Sequence, residues 1–450
     1  MFNQMLGKIE EKSAVVSVIG LGYVGLPLAA GLSKQGYKVV GIDASLEKVN
    51  QLNRGISYIP DVTTEDVSNL VQTHCLSATT NYETLKEVDV VFICVPTPFD
   101  SMKAPDLKFV RQASTGIAKY LREGQLIVLQ STTYPGTTEE VVKPLLEEGS
   151  GLVAGQDFYL AFSPERIDPG RTDFTVENTP KVVGGFNSES AELAGKLLGH
   201  LTPEIHIVSS PRAAEMTKLL ENIFRSVNIA LVNELAILSE RMGIDLWEVI
   251  EAAKTKPFGY MPFYPSSGVG GHCIPVDPYY LSWKAREYDF YTRFIELAAE
   301  VNGDMPYHTV NLIGKGLDSQ GKSLRNSKVL ILGVAFKPNI DDARNSPAER
   351  IVELLLKRGA NVTYHDPYVS HFGIGGDVFL KEKTTFKSVD LVDETLSNAD
   401  CCVIVTGHKK FDYDWIVERS PLVVDTVNAT RRVTKDRQKI FRLGAADTSN

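Results

Sequence analysis

The chain has 450 residues, 43% of them hydrophobic, with 47 basic and 56 acidic side chains and a formal net charge of −9. That length suggests two to three domains with large cores; the mildly acidic balance argues against a nucleic-acid partner, which usually meets a basic stripe, and the absence of any long apolar run argues against a membrane span. The first twelve residues, MFNQMLGKIEEK, have no apolar signal segment, and five cysteines without metal-ligand spacing fit free thiols, no metal and a reducing, cytoplasmic setting.

AVVSVIG (14–20) is an apolar run of the kind a parallel strand buried on both faces requires. LGYVGLPLAAGLSKQG (21–36) follows with helical periodicity, and YKVVGID (37–43) predicts a second strand. Further strands are expected in VDVVFICVPTP (88–98), QLIVLQST (125–132) and FYLAFSPE (158–165), with helices between. This alternation predicts an α/β fold with a doubly wound sheet. Residues 209–244 then form one long helical pattern, started by Ser209, Ser210 and Pro211. A helix of that length can act as a central spine between domains and as a face for a homodimer or higher homo-oligomer. After about residue 320 the alternation returns: strands at 327–336, 361–366, 399–408 and 421–426, and a helix at 346–359. A second, smaller α/β domain therefore closes the chain, with Gly333 alone in place of a glycine fingerprint. The expected domains are 1–208, 209–320 and 321–450, and the last residues, GAADTSN, read as a disordered tail.

Four constellations carry chemistry. GLGYVG places Gly20, Gly22 and Gly25 around Tyr23 and Val24, after a strand and at the start of a helix, and Asp43 ends the next strand. That is the Rossmann-type dinucleotide fingerprint in its required context. Asp43 would accept from the ribose hydroxyls and repel a 2′-phosphate, which favours NAD over NADP. Lys218 and Asn222 share a helix face and suit an oxyanion, although from spacing alone a solvated lysine beside an unrelated asparagine is the simpler account. Thr132 and Glu165 each fall at the C-terminal end of an expected strand, where ligands bind in open sheets; water activation and a solvent-facing turn fit them equally. Pro164 and Pro169–Gly170 flank the glutamate in what reads as a rigid loop. Last, GVGGHCIPVDPYYL (268–281) sets Cys273 on a glycine- and proline-rich loop that fits neither helix nor strand. A nucleophilic thiolate needs a cation, a base or a helix N-terminus nearby; the adjacent His272 is a poor choice of base, because neighbours on a loop usually point apart. Cys75, Cys94, Cys401 and Cys402 lie in or near apolar segments and read as inert.

GLGYVGLPLA, SPERIDPG, TKLLENIFRSVNIALVNE, GVGGHCIPVDPYYL and GVAFKPNIDDARNSP together resemble the UDP-glucose/GDP-mannose dehydrogenase family, along almost the whole chain. The resemblance implies oxidation of C6 of a nucleotide sugar to a carboxylate with two NAD+, through a cysteine thiohemiacetal and thioester. By matching positions it implies Cys273 as nucleophile, Lys218 and Asn222 as oxyanion holders, Glu165 and Thr132 as the pair that handles water, and Asp277 as support for the lysine. Asp43, Lys48, Thr97 and Thr132 match cofactor contacts, with Arg344 from the C-terminal domain, which becomes the UDP-sugar-binding one. Lys337 matches a sugar-nucleotide contact. Phe263 and Tyr264 in PFYPS (262–266) and Gly270 match the substrate loop, whose glycines would let the backbone reach the sugar; Glu165, Lys218 and Asn222 would touch it too. Val276 and Pro169 depart from the UDP-glucose branch. GGHCIPVDPYY and PERIDPG resemble the N-acetylhexosamine branch, and NTPKVVGG its N-acetylglucosamine members, with Ser266 and Ser267 in place of a more usual Gly-Pro pair. UDP-N-acetylmannosamine, UDP-N-acetylgalactosamine and UDP-glucose remain as alternative substrates, and a nucleotide-sugar-binding sensor as the non-enzyme alternative.

Overall fold

The computed structural model describes residues 1–59, 61–100, 104–167, 174–376 and 379–445. They form two compact units, Met1–Glu221 with Tyr279–Phe290, and Asn222–Pro278 with Tyr291–Asn450.

The first unit is built on eight strands: β1 (Val15–Ile19), β2 (Lys38–Ile42), β3 (Leu76–Thr79), β4 (Val90–Ile93), β5 (Leu126–Leu129), β6 (Tyr159–Phe162), β7 (Lys181–Gly185) and β8 (Ile205–Val208). Their order is β3-β2-β1-β4-β5-β6-β7-β8. The first six follow the order of the dinucleotide-binding fold. Strands β4, β5 and β6 are buried at every position, which is why they read as unbroken apolar runs. All neighbours pair parallel except β6 and β7, where Ala161 faces Gly185 and Phe162 faces Gly184 in antiparallel register. Sequence patterning missed β3, β7 and β8. Each is four or five residues long, β7 ends in two glycines, and β8 is a half-exposed edge strand.

Helix α1 (Phe2–Glu10) seats Met5 and Ile9 in this core, and α2 (Gly25–Lys34) packs against β1 and β2. Asp89, just before β4, joins α1 to the sheet: it accepts from Lys8 Nζ (2.8 Å), from Arg122 (2.8 Å) and from the Val15 N–H (3.0 Å). The long helix is present as α3 (Pro211–Met242). Pro211 takes its first position, and the Ser210 hydroxyl accepts from the Ala213 N–H at 3.2 Å, as the start signal requires. The boundary between the units falls within α3, after Glu221.

The second unit carries β9 (Lys328–Leu332), β10 (Asn361–His365), the hairpin β11 (His371–Ile374) and β12 (Thr384–Lys387), then β13 (Cys401–Ile404), β14 (Val423–Asp425) and β15 (Ile440–Arg442). Its main sheet is wholly parallel, in the order β10-β9-β13-β14-β15. One face packs on α4 (Arg293–Asp318) and α5 (Pro347–Lys357) through Met305, Ile313, Leu317, Ile351 and Leu355. The other buries Leu330, Ile404, Phe411, Ile416 and Val417. Helix α4 was not legible, because Gly303 and Pro306 interrupt its pattern; Pro306 is buried inside the helix. Cys401 and Cys402 are buried filler, as expected. Gly444 is held by Glu240 (2.9 Å), so ordered chain extends into the predicted tail; from residue 446 onward the tail lies outside the described residues. Among the described residues no helix is long and apolar enough to cross a membrane.

Burial opposes the charge on Asp89, but Lys8, the Val15 N–H and Arg122 outweigh it and hold the carboxyl below the usual carboxylate range. Such a depressed group stabilises the fold above its unfolded pKa of about 4, and the contribution is lost as pH falls through the folded value. Asp89→Asn is therefore expected to cost about 2 kcal/mol at neutral pH. The gap from wild type should close as the pH is lowered below about 4. Chemical denaturation at both pH values checks this, and equal midpoints at neutral pH would show that the Asp89 contacts contribute nothing.

Candidate active site

The glycine turn divides its labour. Gly20 has φ +92°, and a Cβ there would lie 2.5 Å from the Cys94 carbonyl oxygen. A Cβ on Gly25 would lie 1.8 Å from the Gly20 carbonyl oxygen. These two let the turn pack on β4 and the helix pack on the turn. Gly22 has nothing within 4 Å of its Cβ position, which leaves open the side a pyrophosphate needs. Asp43 accepts from the Leu21 N–H (2.8 Å) and the Ser45 N–H (2.9 Å), with Lys48 Nζ 3.9 Å away. Tyr23 and Val24 are half-buried in the turn. Sequence reasoning missed Tyr58, whose hydroxyl donates to the Leu21 carbonyl (2.9 Å) under the Lys48 ammonium. An open glycine, a helix N-terminus and a carboxylate at the end of β2 together fit a dinucleotide.

Thr97 and Thr132 meet: the Thr97 hydroxyl donates to the Thr132 carbonyl at 2.7 Å, and the buried Tyr280 hydroxyl donates to the Thr97 carbonyl. Glu215 on α3, also missed, fixes the loop that follows. Its carboxyl accepts from the N–H groups of Gly136 and Thr138 and from the Thr138 hydroxyl (2.7 Å), and burial pushes its pKa up to about 7. Glu165 stands three residues past β6. Gln130 and the buried Lys181 reach its Oε2, and the N–H groups of Arg166 and Ile167 reach its Oε1. Burial raises its pKa, but Lys181 and the two N–H donors more than offset this and hold it below the usual range. Pro169 and Gly170, the expected rigid flank, lie outside the described residues.

Lys218 and Asn222 are both buried, one turn apart on α3. Within the second unit the Asn222 amide donates to Asp277, also buried. Asp277, expected to support the lysine, thus has the asparagine as a partner. Cys273 is half-buried and in no disulfide; its carbonyl accepts from the N–H groups of Val276 (3.0 Å) and Asp277 (2.8 Å) in the turn that leads into helix Asp277–Ala285. The glycines of its loop serve packing. A Cβ on Gly270 would lie 2.7 Å from the Phe336 Cβ, and one on Gly271, at φ +90°, would lie 2.9 Å from the Phe336 ring. The Gly271 N–H donates to the Arg344 carbonyl (3.1 Å), and the Asn345 amide donates back to the Gly271 carbonyl (3.0 Å). Arg344 is gripped by Asp342 and reaches His272 Nδ1 at 3.4 Å. Tyr264 stacks on Trp247 and donates to Glu251 (2.7 Å), and Phe263 packs edge-on against Phe224.

Ser266, Ser267, Phe336 and Pro338, neighbours of the predicted Lys337, line a cavity of about 630 Å³ at the C-terminal ends of β13 and β14. Lys409, Arg431 and Arg432 give it positive charge, and His408 forms part of its wall. His408 Nδ1 accepts from the Asn339 N–H (2.9 Å), so the ring proton sits on Nε2, 3.0 Å from buried Asp366. No sequence signal marked these basic residues, which follow the strands as short pairs, Lys409–Lys410 and Arg431–Arg432.

Family models agree with this layout. The NAD binding, central and UDP binding domains of the UDP-glucose/GDP-mannose dehydrogenase family match residues 14–202, 212–304 and 330–432. The chain belongs to this family. It is 41% identical over 360 residues to a UDP-N-acetyl-D-glucosamine 6-dehydrogenase of Pseudomonas aeruginosa, covering 80% of this chain and 84% of that one. It is 36% identical to a UDP-N-acetyl-D-mannosamine dehydrogenase of Pyrococcus horikoshii, covering 88% and 90%. Among solved structures, the UDP-D-ManNAc dehydrogenase of P. horikoshii superposes with a TM-score of 0.86 at 32% identity, over 96% of this chain and all of that one. An NDP-N-acetyl-D-galactosaminuronic acid dehydrogenase from Methanosarcina mazei does so at 0.81 and 32% identity, over 98% of each.

The chain is therefore an NAD-dependent nucleotide-sugar dehydrogenase. Its C-terminal match is the family's UDP binding domain, and the basic cavity lies within the same unit. Asp43 gives a direct check on cofactor choice. A 2′-phosphate about 4 Å from its carboxylate would be repelled by several kcal/mol at an effective dielectric of about 20, and partial solvation and Lys48 reduce this. NAD+ is expected to exceed NADP+ in kcat/KM by at least about tenfold, and Asp43→Asn should narrow the gap. Equal efficiencies in wild type would show that Asp43 does not face the ribose.

Proposed function

We propose that the chain oxidises C6 of a UDP-N-acetylhexosamine, UDP-N-acetylglucosamine foremost, to the UDP-uronate. The observation that carries this is Cys273 itself: a half-buried thiol, in no disulfide, on a loop clamped by Asn345 and running into a helix N-terminus, a setting in which positive partial charge would favour a thiolate. NAD, when bound, is the electron acceptor for both oxidations. The chain's own residues handle the carbon between them.

In this reading the Cys273 thiolate adds to the C6 aldehyde and leaves the charge on oxygen. Lys218 and Asn222 donate to that oxyanion. Asn222 has two amide hydrogens; one is committed to Asp277, which orients the group and leaves the other for the substrate. Once the adduct is oxidised to a thioester, water attacks the carbonyl carbon, with Thr132 and Glu165 positioning it and Glu165 taking its proton. Collapse breaks the C–S bond and restores the thiolate. Capture of the aldehyde explains why an alcohol-oxidising enzyme needs a thiol.

The name of the P. aeruginosa relative supports N-acetylglucosamine. The P. horikoshii neighbour, with its TM-score of 0.86, supports UDP-N-acetylmannosamine as the second reading. Turnover across a panel of UDP-sugars decides between them: UDP-N-acetylglucosamine is expected to have the highest kcat/KM, and a higher value for the mannosamine epimer would move the assignment. Cys273→Ser should bind NAD and sugar nucleotide normally yet lose net turnover by about a hundredfold or more. Wild-type NADH formation by that variant would remove the thiol from the mechanism.

A further inference from the structure

We propose that Lys181 is a positioning residue for the reaction, keeping Glu165 ionised and aimed for hydrolysis of the thioester. This rests on the role given above to Glu165. The Glu165 carboxylate, 11% exposed, receives Lys181 Nζ (3.3 Å) and Gln130 Nε2 (2.8 Å) at Oε2. Its Oε1 receives the Arg166 (2.8 Å) and Ile167 (3.0 Å) N–H groups. Lys181 is 1% exposed, so its ammonium has left water for this carboxylate. An ion so deeply buried is tolerated when its partner stays charged.

The topology explains how the lysine gets there. Lys181 is the first residue of β7, the strand that pairs antiparallel with β6. A parallel β7 would carry its first residue to the opposite edge of the sheet. Running antiparallel, it delivers Lys181 to the C-terminal edge of β6, where Glu165 lies. Two further contacts fix the arrangement. Cys94 Sγ lies 3.9 Å from Gln130 Oε1, so the thiol hydrogen orients the amide with its Nε2 toward Glu165. Arg166 donates to the Pro180 carbonyl (2.8 Å) and pairs with Glu221 (2.7 Å), tying the Glu165 loop to the residue before Lys181.

Among the described residues, the charged and titratable groups around Glu165 are Lys181, the Arg166–Glu221 pair and Cys94. Burial pushes the Cys94 thiol well up, so it stays neutral. Lys181 supplies the positive charge in direct contact with the carboxylate. A protonated Glu165 would offer water a donor where the reaction needs an acceptor. With the Lys181 cation removed, the direct donors left among the described residues are the Gln130 amide and the Arg166 and Ile167 N–H groups, burial acts against the carboxylate, and its pKa rises.

The test is the pH dependence of thioester hydrolysis, followed by intact mass of the Cys273 adduct after mixing enzyme with NAD+ and UDP-N-acetylglucosamine. Lys181→Gln keeps an N–H donor and removes the charge. Its acid limb is expected to move to higher pH by about one to two units, while Lys181→Arg keeps the wild-type limb. A limb left in place in Lys181→Gln, whatever the rate, overturns the proposal. Where that variant fails to fold, carbon-13 NMR of carboxyl-labelled wild type gives the answer. The Glu165 signal, assigned by its loss in Glu165→Gln, should titrate below the usual glutamate range, and titration within or above that range overturns the proposal. Glu165→Gln also separates the two levels. If it accumulates adduct while Lys181→Gln keeps its limb, the lysine's role alone fails. If it hydrolyses the adduct normally, the role of Glu165 fails and the lysine's with it.

Discussion

In each α/β unit one carboxylate ties the turn after the first strand to the end of the second. In the first unit Gly20 donates to the Ile42 carbonyl (2.7 Å), and Asp43 then accepts from Leu21 and Ser45. In the second, Gly333 donates to the His365 carbonyl (2.9 Å), and Asp366 accepts from Val334 (2.7 Å) and Tyr368 (2.9 Å). Both positions hold positive φ, and a side chain there would also strike the backbone after a neighbouring strand, so each takes glycine. The same device serves two ends. Asp43 keeps an exposed edge and borders an open glycine, which suits a ribose. Asp366 is sealed from solvent by His408, and the turn becomes the wall of a basic cavity.

In the first unit Cys94 follows β4, Gln130 and Thr132 follow β5, and Glu165 follows β6, each just past the C-terminal end of a parallel strand. Open α/β sheets place ligands at this edge. What this fold adds is a strand reversal at β7. It brings a buried ammonium to this edge, against Glu165, and so lets a carboxylate be both buried and charged. In the second unit a comparable economy governs the thiol loop, where Gly270 and Gly271 trade side chains for contact with Phe336 and Arg344–Asn345.

Much of the fold was legible because buried parallel strands and long helices write themselves as apolar runs and unbroken periodicity. What stayed hidden has physical reasons. β7 is five residues with two glycines, and its direction depends on pairing with β6 rather than on local preference. Helix α4 survives Pro306 because tertiary packing offsets the lost backbone bond. Of the site, the glycine turn and Asp43 were readable from spacing alone, since both belong to one βαβ unit. The partners of Glu165 were not, because Gln130 and Lys181 reach it from other strands. Lys218 and Asn222 looked ordinary until the family motif singled them out, and the burial of both, with Asp277 on Asn222, sets aside a solvated face.

The reaction proposed for this chain is a four-electron oxidation in which the aldehyde never leaves the enzyme. Counting NADH released per molecule of limiting UDP-N-acetylglucosamine tests that most directly. The account requires two, with UDP-uronate as the sole sugar product. One NADH with free aldehyde would mean a simple alcohol dehydrogenase and no role for Cys273; none, with both ligands bound, would mean a sensor.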